Sequence, residues 1–216
     1  MEGQKKMSEY HNIPKMVPIV VQDYLYVLGS SWKGIGTAVE LGSWLGGTAV
    51  PLLEGLKEAH YNKPFYAYDK WKVNKEQVSK ALLQGVKLQD GQNSMSLFLE
   101  NTNKIQQDVI ATRGRFSDTL STYNGGPIEI CIFDAPKQEP IFTHAIKAMC
   151  PYWIPGVTIV GLLDYYFYRR RLDHMHEKFK APVKFMERYG SSFEKIIEWP
   201  EECSCVFFKY TKPLNL

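Results

Sequence analysis

One stretch of the chain, residues 37–50, limits the fold more than any other. Its first residues are apolar or β-branched, which favours a short buried strand. Gly42 permits a tight turn that a side chain would block, while Gly46 and Gly47 leave space beside the main chain. The following residues predict a helix whose first amides are free to meet a polar ligand. With the carboxylate of Glu40 at the end of the strand, the stretch predicts a site for a nucleoside-containing cofactor.

Segments of strand character alternate with segments of helical period along the rest of the chain. Further strands are expected at 65–69, 108–112, 128–133, 157–163, 193–198 and 203–210. Helical patterns are expected at 17–28, 49–60, 75–83, 94–104, 141–150 and 169–189, with a short helix or turn at 116–123 and an interruption of the last pattern near Pro182. This alternation predicts an α/β protein with a Rossmann-like, doubly wound, mainly parallel seven-stranded sheet. The last two strands predict an antiparallel hairpin at the sheet edge.

The composition fits a single domain with a sizeable core, because 44% of the 216 residues are hydrophobic and 23% are charged. A net charge of +3 does not by itself imply nucleic acid, and no nucleic-acid partner is expected. The segment 1–15 is polar and looks like a loose lead-in, and no apolar run approaches the ~20 residues of a membrane span. Of the four cysteines only Cys203 and Cys205 are close together, which favours reduced thiols in a cytoplasmic protein.

Four of the expected strands end on or near an acidic residue. These residues are Glu40, Asp69, Asp134 and Asp164. In a mainly parallel sheet the carboxyl ends of the strands share one edge, and ligands bind beyond that edge. The sequence therefore predicts a row of four carboxylates along the ligand-binding rim.

The glycine spacing narrows the choice of cofactor. The turn reads Gly42-x-x-x-Gly46-Gly47 and lacks the first glycine pair of the dinucleotide fingerprint, which disfavours NAD. The residue after the last glycine is Thr48, so the lysine of a phosphate loop is also missing. A cofactor with ribose hydroxyls and a cationic head but no pyrophosphate remains, and S-adenosylmethionine fits this description. Asp69 is expected to accept the ribose hydroxyls, and Glu40 to lie near the amino-acid end.

Five segments, in order, resemble motifs of the class I S-adenosylmethionine-dependent methyltransferases. They are 39–47, 65–69, 113–117, 132–137 and 154–165. The resemblance spans about residues 36–170 and is nearest to bacterial macrocin- and sugar-type small-molecule O-methyltransferases of antibiotic or surface-polysaccharide pathways. It implies a methyltransferase domain over 37–216, preceded by a lead-in and a helix over the pocket at 1–36. The cofactor-binding positions it implies are Glu40, Gly42, Ser43, Gly46, Gly47, Thr48, Asp69, Arg115, Phe116 and Asp134.

The chain departs from the family pattern at several positions. Ser43 and Trp44 stand where a smaller, glycine-rich turn is commonest, and Arg115 and Phe116 stand where an acidic or small residue often lies near adenine. The phenylalanine ring is suited to stacking on adenine. An arginine there puts the usual polar adenine contact in doubt.

Asp134 and Asp164 are the candidate catalytic residues, either as ligands of a divalent cation such as Mg²⁺ or as base and orienter. Related metal-dependent methyltransferases carry an Asp-Asp or Asp-Asn pair after the fifth strand. Here Tyr165 follows Asp164, so only two of three ligand positions match. His174 is a further candidate general base, and Lys137 is a candidate base or binder of an anionic substrate.

The expected reaction is O-methylation of a hydroxyl on a small molecule or sugar, and a nucleotide- or phosphate-linked sugar is one such substrate. The run of aromatic residues and arginines at 165–171 is consistent with a pocket for such a group or with an ordinary basic helix face. Exposed aromatic runs suggest a homodimer. The alternative is a non-catalytic S-adenosylmethionine-binding protein that keeps the fold without the chemistry.

Overall fold

The segments with strand character form a seven-stranded sheet in a computed structural model that describes residues 9–170, 174 and 176–214. The strands are β1 (Thr37–Leu41), β2 (Phe65–Asp69), β3 (Val109–Arg113), β4 (Ile128–Phe133), β5 (Ile159–Leu162), β6 (Phe193–Trp199) and β7 (Cys205–Tyr210). Their order is β3-β2-β1-β4-β5-β7-β6. The pairs from β3 to β5 are parallel, whereas β7 is antiparallel to both β5 and β6. The predicted α/β class and the C-terminal hairpin are confirmed.

The helices also lie close to their predicted positions. They are α1 (Ile19–Ser30), α2 (Ala49–Glu58), α3 (Lys75–Leu82), α4 (Met95–Asn103), α5 (Phe116–Thr119), α6 (Ile141–Met149), α7 (His176–Phe179) and α8 (Ala181–Tyr189). The helical stretch expected at 169–189 is interrupted between α7 and α8, close to the expected position at Pro182, and a 3₁₀ turn at Phe167–Arg170 precedes it. Pro182 lies in the first turn of α8, where the missing amide hydrogen bond costs little. Among the described residues, every helix is too short or too polar to cross a bilayer.

The chain forms two compact units. In its described part, the helical unit contains residues 9–32, 43–62 and 71–107. The sheet unit contains residues 33–42, 63–70 and 108–214, apart from 171–173 and 175. The domain boundary expected after residue 36 stays a prediction.

The core of the sheet unit lies between the sheet and α6. The side chains of Phe142, Ala145, Ile146 and Met149 recur with helical period and are buried against residues such as Val39 on the sheet. All five residues of β1 are buried, so this strand carries no solvent-facing side. The central strand is therefore held rigidly, which fixes the position of any residue at its carboxyl end.

The helical unit is built on close packing of α1 against α2. A Cβ atom added to Gly55 would lie 2.0 Å from the carbonyl oxygen of Tyr26, and one added to Gly29 would lie 2.4 Å from that of Leu52. The two glycines therefore allow the helix backbones to touch. The part of the loose lead-in that the structure describes is packed rather than loose, because Tyr10 is buried and its hydroxyl donates to Asp23 at 2.8 Å. Residues 1–8 lie outside the described residues.

Candidate cofactor and catalytic site

The strand register of the sheet unit brings the predicted acidic residues to one edge. Leu41 is opposite Tyr68 of β2 and Phe133 of β4, and Phe133 is opposite Leu162 of β5. Asp69 and Asp134 each lie one residue beyond this level, Glu40 one residue before it, and Asp164 two residues beyond it. The row of carboxylates inferred from the strand ends is therefore present at the carboxyl edge of the sheet.

Asp134 is the electrostatic centre of this acidic rim, which we define as Glu40, Asp69, Asp134 and Asp164. Burial raises its pKa well above the ordinary aspartate value, and the charges of Asp164, Glu40 and Asp69 raise it further. The ammonium group of Lys137 acts in the opposite direction and is outweighed. The pKa of Asp134 therefore depends on the charges of the other three carboxylates, and Asp134 holds a proton at a higher pH than an isolated aspartate does.

Glu40 and Asp69 differ in their surroundings. Glu40 is fully buried within β1, between Ala67 and Ile132 on the neighbouring strands. Asp69, at the end of β2, is half-buried, and its backbone carbonyl accepts a hydrogen bond of 2.9 Å from the amide of Gly114. A buried carboxylate is costly to desolvate, so its retention in the middle of an apolar strand indicates a role beyond packing.

Gly42 controls the approach of the chain after β4 to the end of β1. Its backbone has φ +105°, and an added Cβ atom would lie 2.5 Å from the Cβ and 2.6 Å from the backbone nitrogen of Ala135. The amides of Asp134 and Ala135 both donate to the carbonyl of Leu41 at 2.9 Å. Ala135 is therefore the residue that a side chain at position 42 would clash with, and Gly42 is needed to place Asp134 at the rim.

The glycine turn at residues 43–48 belongs to the helical unit, where side chains secure its carbonyl groups. The carbonyl oxygens of the turn accept hydrogen bonds from Trp71 at 2.8 Å, Asn101 at 2.9 Å and Gln22 at 2.8 Å. These donors were not found by sequence reasoning, because they lie far from the turn in the chain and follow no periodic pattern. The one available signal was the polar side chain of Gln22 among the apolar residues at the start of α1.

The structure defines the surroundings of Ser43 and Gly47, two positions of the turn at which the sequence predicted cofactor contact. Ser43 is buried, and among the described residues its Oγ atom has no hydrogen-bonding partner. Buried hydroxyls are nearly always paired, so this oxygen is suited to a ligand. The space beside Gly47 is instead taken by the chain itself, since an added Cβ would lie 2.6 Å from the Cβ of Lys15 and 2.7 Å from the carbonyl of Pro14. Gly46 has φ +92°, and Thr48 is buried just before α2.

The residues expected near adenine lie at the start of α5. Arg115 precedes the helix and is exposed, while Phe116 is half-buried and packs partly against the core of the sheet unit. The carbonyl of Phe116 is 3.2 Å from Nε2 of His144. Adenine contact by either residue stays a prediction.

Lys137 and Asp164 form an ion pair, with 2.7 Å between Nζ and Oδ2. The same ammonium group lies 4.3 Å from the centroid of the Phe167 ring. Tyr165 follows Asp164 at the position of the expected third ligand, and the described residues contain no group of three His, Cys, Asp or Glu side chains that could hold a metal ion. The residues present therefore do not match the ligand set of a divalent cation.

The histidines after β5 lie away from this ion pair in the chain. His174 is exposed in a turn, and the flanking residues 171–173 and 175, including Arg171 of the aromatic and arginine run, lie outside the described residues. Nδ1 of His176 is 3.0 Å from the carbonyl of Tyr168. A catalytic role for His174 stays a prediction.

The sheet order and the rim of carboxylates define the class I methyltransferase architecture, and comparison with solved structures agrees. The chain is similar to the O-methyltransferase NovP, with 18% identity, a TM-score of 0.60 and coverage of 90% of this chain and 78% of that one. It is similar to CalS11, named as a TDP-rhamnose 3′-O-methyltransferase of calicheamicin biosynthesis, with 14% identity, a TM-score of 0.58 and coverage of 90% and 79%. It is also similar to the O-methyltransferase TomG from Streptomyces achromogenes, with 16% identity, a TM-score of 0.54 and coverage of 91% of this chain and 82% of that one.

A family model described as a methyltransferase domain matches residues 39–161, which is more than half of the chain. The chain therefore belongs to this methyltransferase family. A search of curated protein sequences gave no match.

Proposed function

We propose that the protein transfers a methyl group from S-adenosylmethionine to a hydroxyl oxygen of a small molecule or sugar. The observation that carries the proposal is the acidic rim at the carboxyl edge of the sheet, centred on Asp134. Carboxylates at this edge are suited to a ligand with ribose hydroxyls and a cationic head. The pyrophosphate of a dinucleotide cofactor at the same place would be repelled by these charges.

The cofactor roles follow from the position of each acidic residue. Asp69, half-buried at the end of β2, is assigned to accept hydrogen bonds from the ribose hydroxyls. Glu40 is assigned to the amino-acid end of the cofactor, where its negative charge would attract the ammonium group. The buried Ser43 hydroxyl supports the cofactor role predicted for residues 43–48 from the sequence.

The catalytic roles are assigned to Asp134 and Asp164, which follow β4 and β5 on the other side of β1 from Asp69. S-adenosylmethionine supplies a methyl group on a positively charged sulfur. Asp134 is assigned to accept the hydroxyl proton as the acceptor oxygen bonds to the methyl carbon and the bond from that carbon to sulfur breaks. Its raised pKa makes it a stronger base than an ordinary aspartate. Asp164, held by Lys137, is assigned to orient the acceptor.

The acceptor class is inferred by analogy with similar proteins. CalS11 is named for a TDP-rhamnose substrate, and the two arginines at 169 and 170 offer positive charge for a phosphate-linked sugar. A homodimer and a cytoplasmic location stay predictions. Free thiols at all four cysteines support the last of these.

The test is formation of S-adenosylhomocysteine, measured by mass spectrometry with a panel of nucleotide sugars and simple phenols or polyols as acceptors. We expect turnover with at least one hydroxylated acceptor, and its loss in Asp134→Asn. The matched control is Asp118→Asn, which changes an exposed aspartate after β3. Cofactor binding without turnover on any acceptor would favour the second candidate, a non-catalytic S-adenosylmethionine-binding protein, for which the incomplete metal-ligand set is the supporting observation.

A further inference from the structure

Cys203 and Cys205 lie together in the C-terminal hairpin, beside the acidic rim. Cys203 is half-buried in the turn after β6, whereas Cys205 is the first residue of β7 and is fully buried. Ser204 between them has φ +66°, a backbone conformation that is uncommon for residues other than glycine and that concentrates at functional sites. The two thiols lie close enough to hydrogen-bond to each other. The hairpin therefore holds one accessible sulfur and one shielded sulfur side by side.

Several acceptors surround the thiol proton of Cys205. They are the carbonyl oxygen of Leu163 at 3.1 Å, the carbonyl oxygen of Cys203 at 3.4 Å and the Cys203 sulfur. The hydrogen bond from Cys205 stabilises a Cys203 thiolate and, with the positive charge of Arg170, lowers the pKa of Cys203 despite its partial burial. Cys150 is also half-buried, but burial raises its pKa to about 11. Cys203 is therefore the more reactive of the two half-buried thiols.

We propose that Cys203 and Cys205 form a redox-active dithiol that hydrogen peroxide converts into a disulfide, and that this disulfide alters the hydrogen bonding beside Asp164. The Cys203 thiolate attacks one peroxide oxygen, the O–O bond breaks, and a sulfenic acid forms with hydroxide as the leaving group. The Cys205 sulfur then attacks the Cys203 sulfur, the S–S bond forms, and the S–O bond breaks as the Cys205 proton leaves with the oxygen as water. Both sulfurs are oxidised, one peroxide is reduced to two water molecules, and a dithiol reductant reverses the reaction.

The burial of Cys205 determines the order of these steps. Peroxide meets Cys203 first, because the Cys205 side chain has no exposed surface. Cys205 then reacts with the sulfenic acid from inside the protein. Because the second thiol is already in contact with the first, disulfide formation is favoured over further oxidation of Cys203.

The dithiol is coupled to the acidic rim in two ways. The pKa of Cys205 is raised by its hydrogen bond to Cys203 and by burial. The charges of Asp134 and Asp164 raise it further, so the thiol lies within electrostatic reach of both carboxylates. A disulfide has no thiol proton, so the carbonyl oxygen of Leu163 loses the donor that Cys205 supplies. Leu163 immediately precedes Asp164, and oxidation therefore changes the surroundings of the carboxylate assigned to orient the acceptor.

The test treats the folded wild-type chain with a small excess of hydrogen peroxide, alkylates the remaining thiols, and analyses the tryptic peptide 196–209 by mass spectrometry. This peptide contains both cysteines. We expect it to lose two hydrogen atoms and both alkylation sites, and dithiothreitol to restore them. Cys150 is the matched half-buried thiol, and we expect Cys203 to react at least about tenfold faster. Cys150→Ser is expected to behave as the wild type.

Two variants separate the steps of the reaction. Cys205→Ser is expected to stop at a sulfenic acid on Cys203, which dimedone traps. Cys203→Ser is expected to leave Cys205 unoxidised, because that thiol is buried. Retention of both free thiols in peroxide-treated wild type would overturn the inference, and so would oxidation of Cys150 at the same rate as Cys203. Far-UV circular dichroism of each sample establishes that folded proteins are compared.

The link to the rim rests on the proposed function and is measured separately. The wild type is expected to form S-adenosylhomocysteine at least about threefold more slowly once the disulfide has formed, because the orientation of the acceptor is disturbed. Dithiothreitol should restore the rate, and peroxide should leave the rate of Cys203→Ser unchanged. An equal rate in fully oxidised wild type would overturn the link. Absence of turnover by the reduced wild type on every acceptor would refute the proposed function, while the peptide analysis would still decide whether the dithiol is redox-active.

Discussion

The substitution Gly42→Ala tests the contact that seats Asp134 at the rim. The Cβ atom it adds meets the Cβ of Ala135 at 2.5 Å and its backbone nitrogen at 2.6 Å, and the residue has φ +105°. The backbone conformation costs a side chain about 1–2 kcal/mol. The overlap with Ala135 adds about 1–3 kcal/mol, because it can be relieved only by moving main chain. We therefore expect Gly42→Ala to lower the free energy of unfolding by about 2–5 kcal/mol.

Gly126→Ala is the matched control for this substitution. Gly126 has φ +74°, but an added Cβ atom would meet nothing within 4 Å, so only the backbone cost applies. Urea unfolding should place the control about 1–2 kcal/mol below the wild type, with the difference between the two variants measuring the overlap at Ala135. Affinity for S-adenosylhomocysteine, measured by calorimetry, should fall at least about tenfold in Gly42→Ala alone, because Ala135 carries Asp134 with it. Equal stabilities within about 0.5 kcal/mol and equal affinities would refute the reasoning.

Three further substitutions test separate parts of the structure. Glu129→Ala should lower the free energy of unfolding in urea by about 3–5 kcal/mol, because this buried carboxylate accepts hydrogen bonds from the backbone amides of Lys33, Ile35 and Gly36. A loss below about 1 kcal/mol would contradict this role. Asp134→Asn should raise the melting temperature at pH 7 and have no effect below the ordinary aspartate pKa of ~4. The reason is that a carboxyl group with a raised pKa in the native state lowers the stability of the wild type as pH rises through that pKa, and an amide does not ionise. A variant that is equally or less stable than the wild type at pH 7 would be evidence against the raised pKa. Ser43→Ala should leave stability unchanged or slightly higher while weakening S-adenosylhomocysteine binding in calorimetry, and unaltered binding would argue against a ligand at this hydroxyl.

The sequence predicted the sheet well because its strands carry a strong local signal. The apolar run at 128–133 and the alternation of strands with helices were sufficient to place β4 and the parallel order. The acidic rim followed from the same reasoning, since parallel strands share a carboxyl edge. The helical stretch expected at 169–189, with an interruption near Pro182, is indeed divided between α7 and α8 at residue 180, whereas the 3₁₀ turn at Phe167–Arg170 was not expected.

Long-range polar contacts could not be predicted in this way. Glu129 appeared as one charged residue within a strand, and nothing in the chain linked it to amides more than ninety residues earlier. Lys137 was considered as a base or an anion binder, but its pairing with Asp164 depends on how β4 and β5 align. Periodicity reports which side chains are buried, whereas these contacts depend on where separate segments meet.

Calorimetric titration of the folded chain with S-adenosylhomocysteine tests the central claim most directly, with Asp69→Asn as the paired variant. The account predicts binding of one ligand per chain by the wild type, and an affinity about ten- to a hundredfold lower in Asp69→Asn, because a charged hydrogen-bond acceptor for the ribose is lost. The absence of heat of binding at millimolar ligand, from wild-type protein shown to be folded, would contradict it.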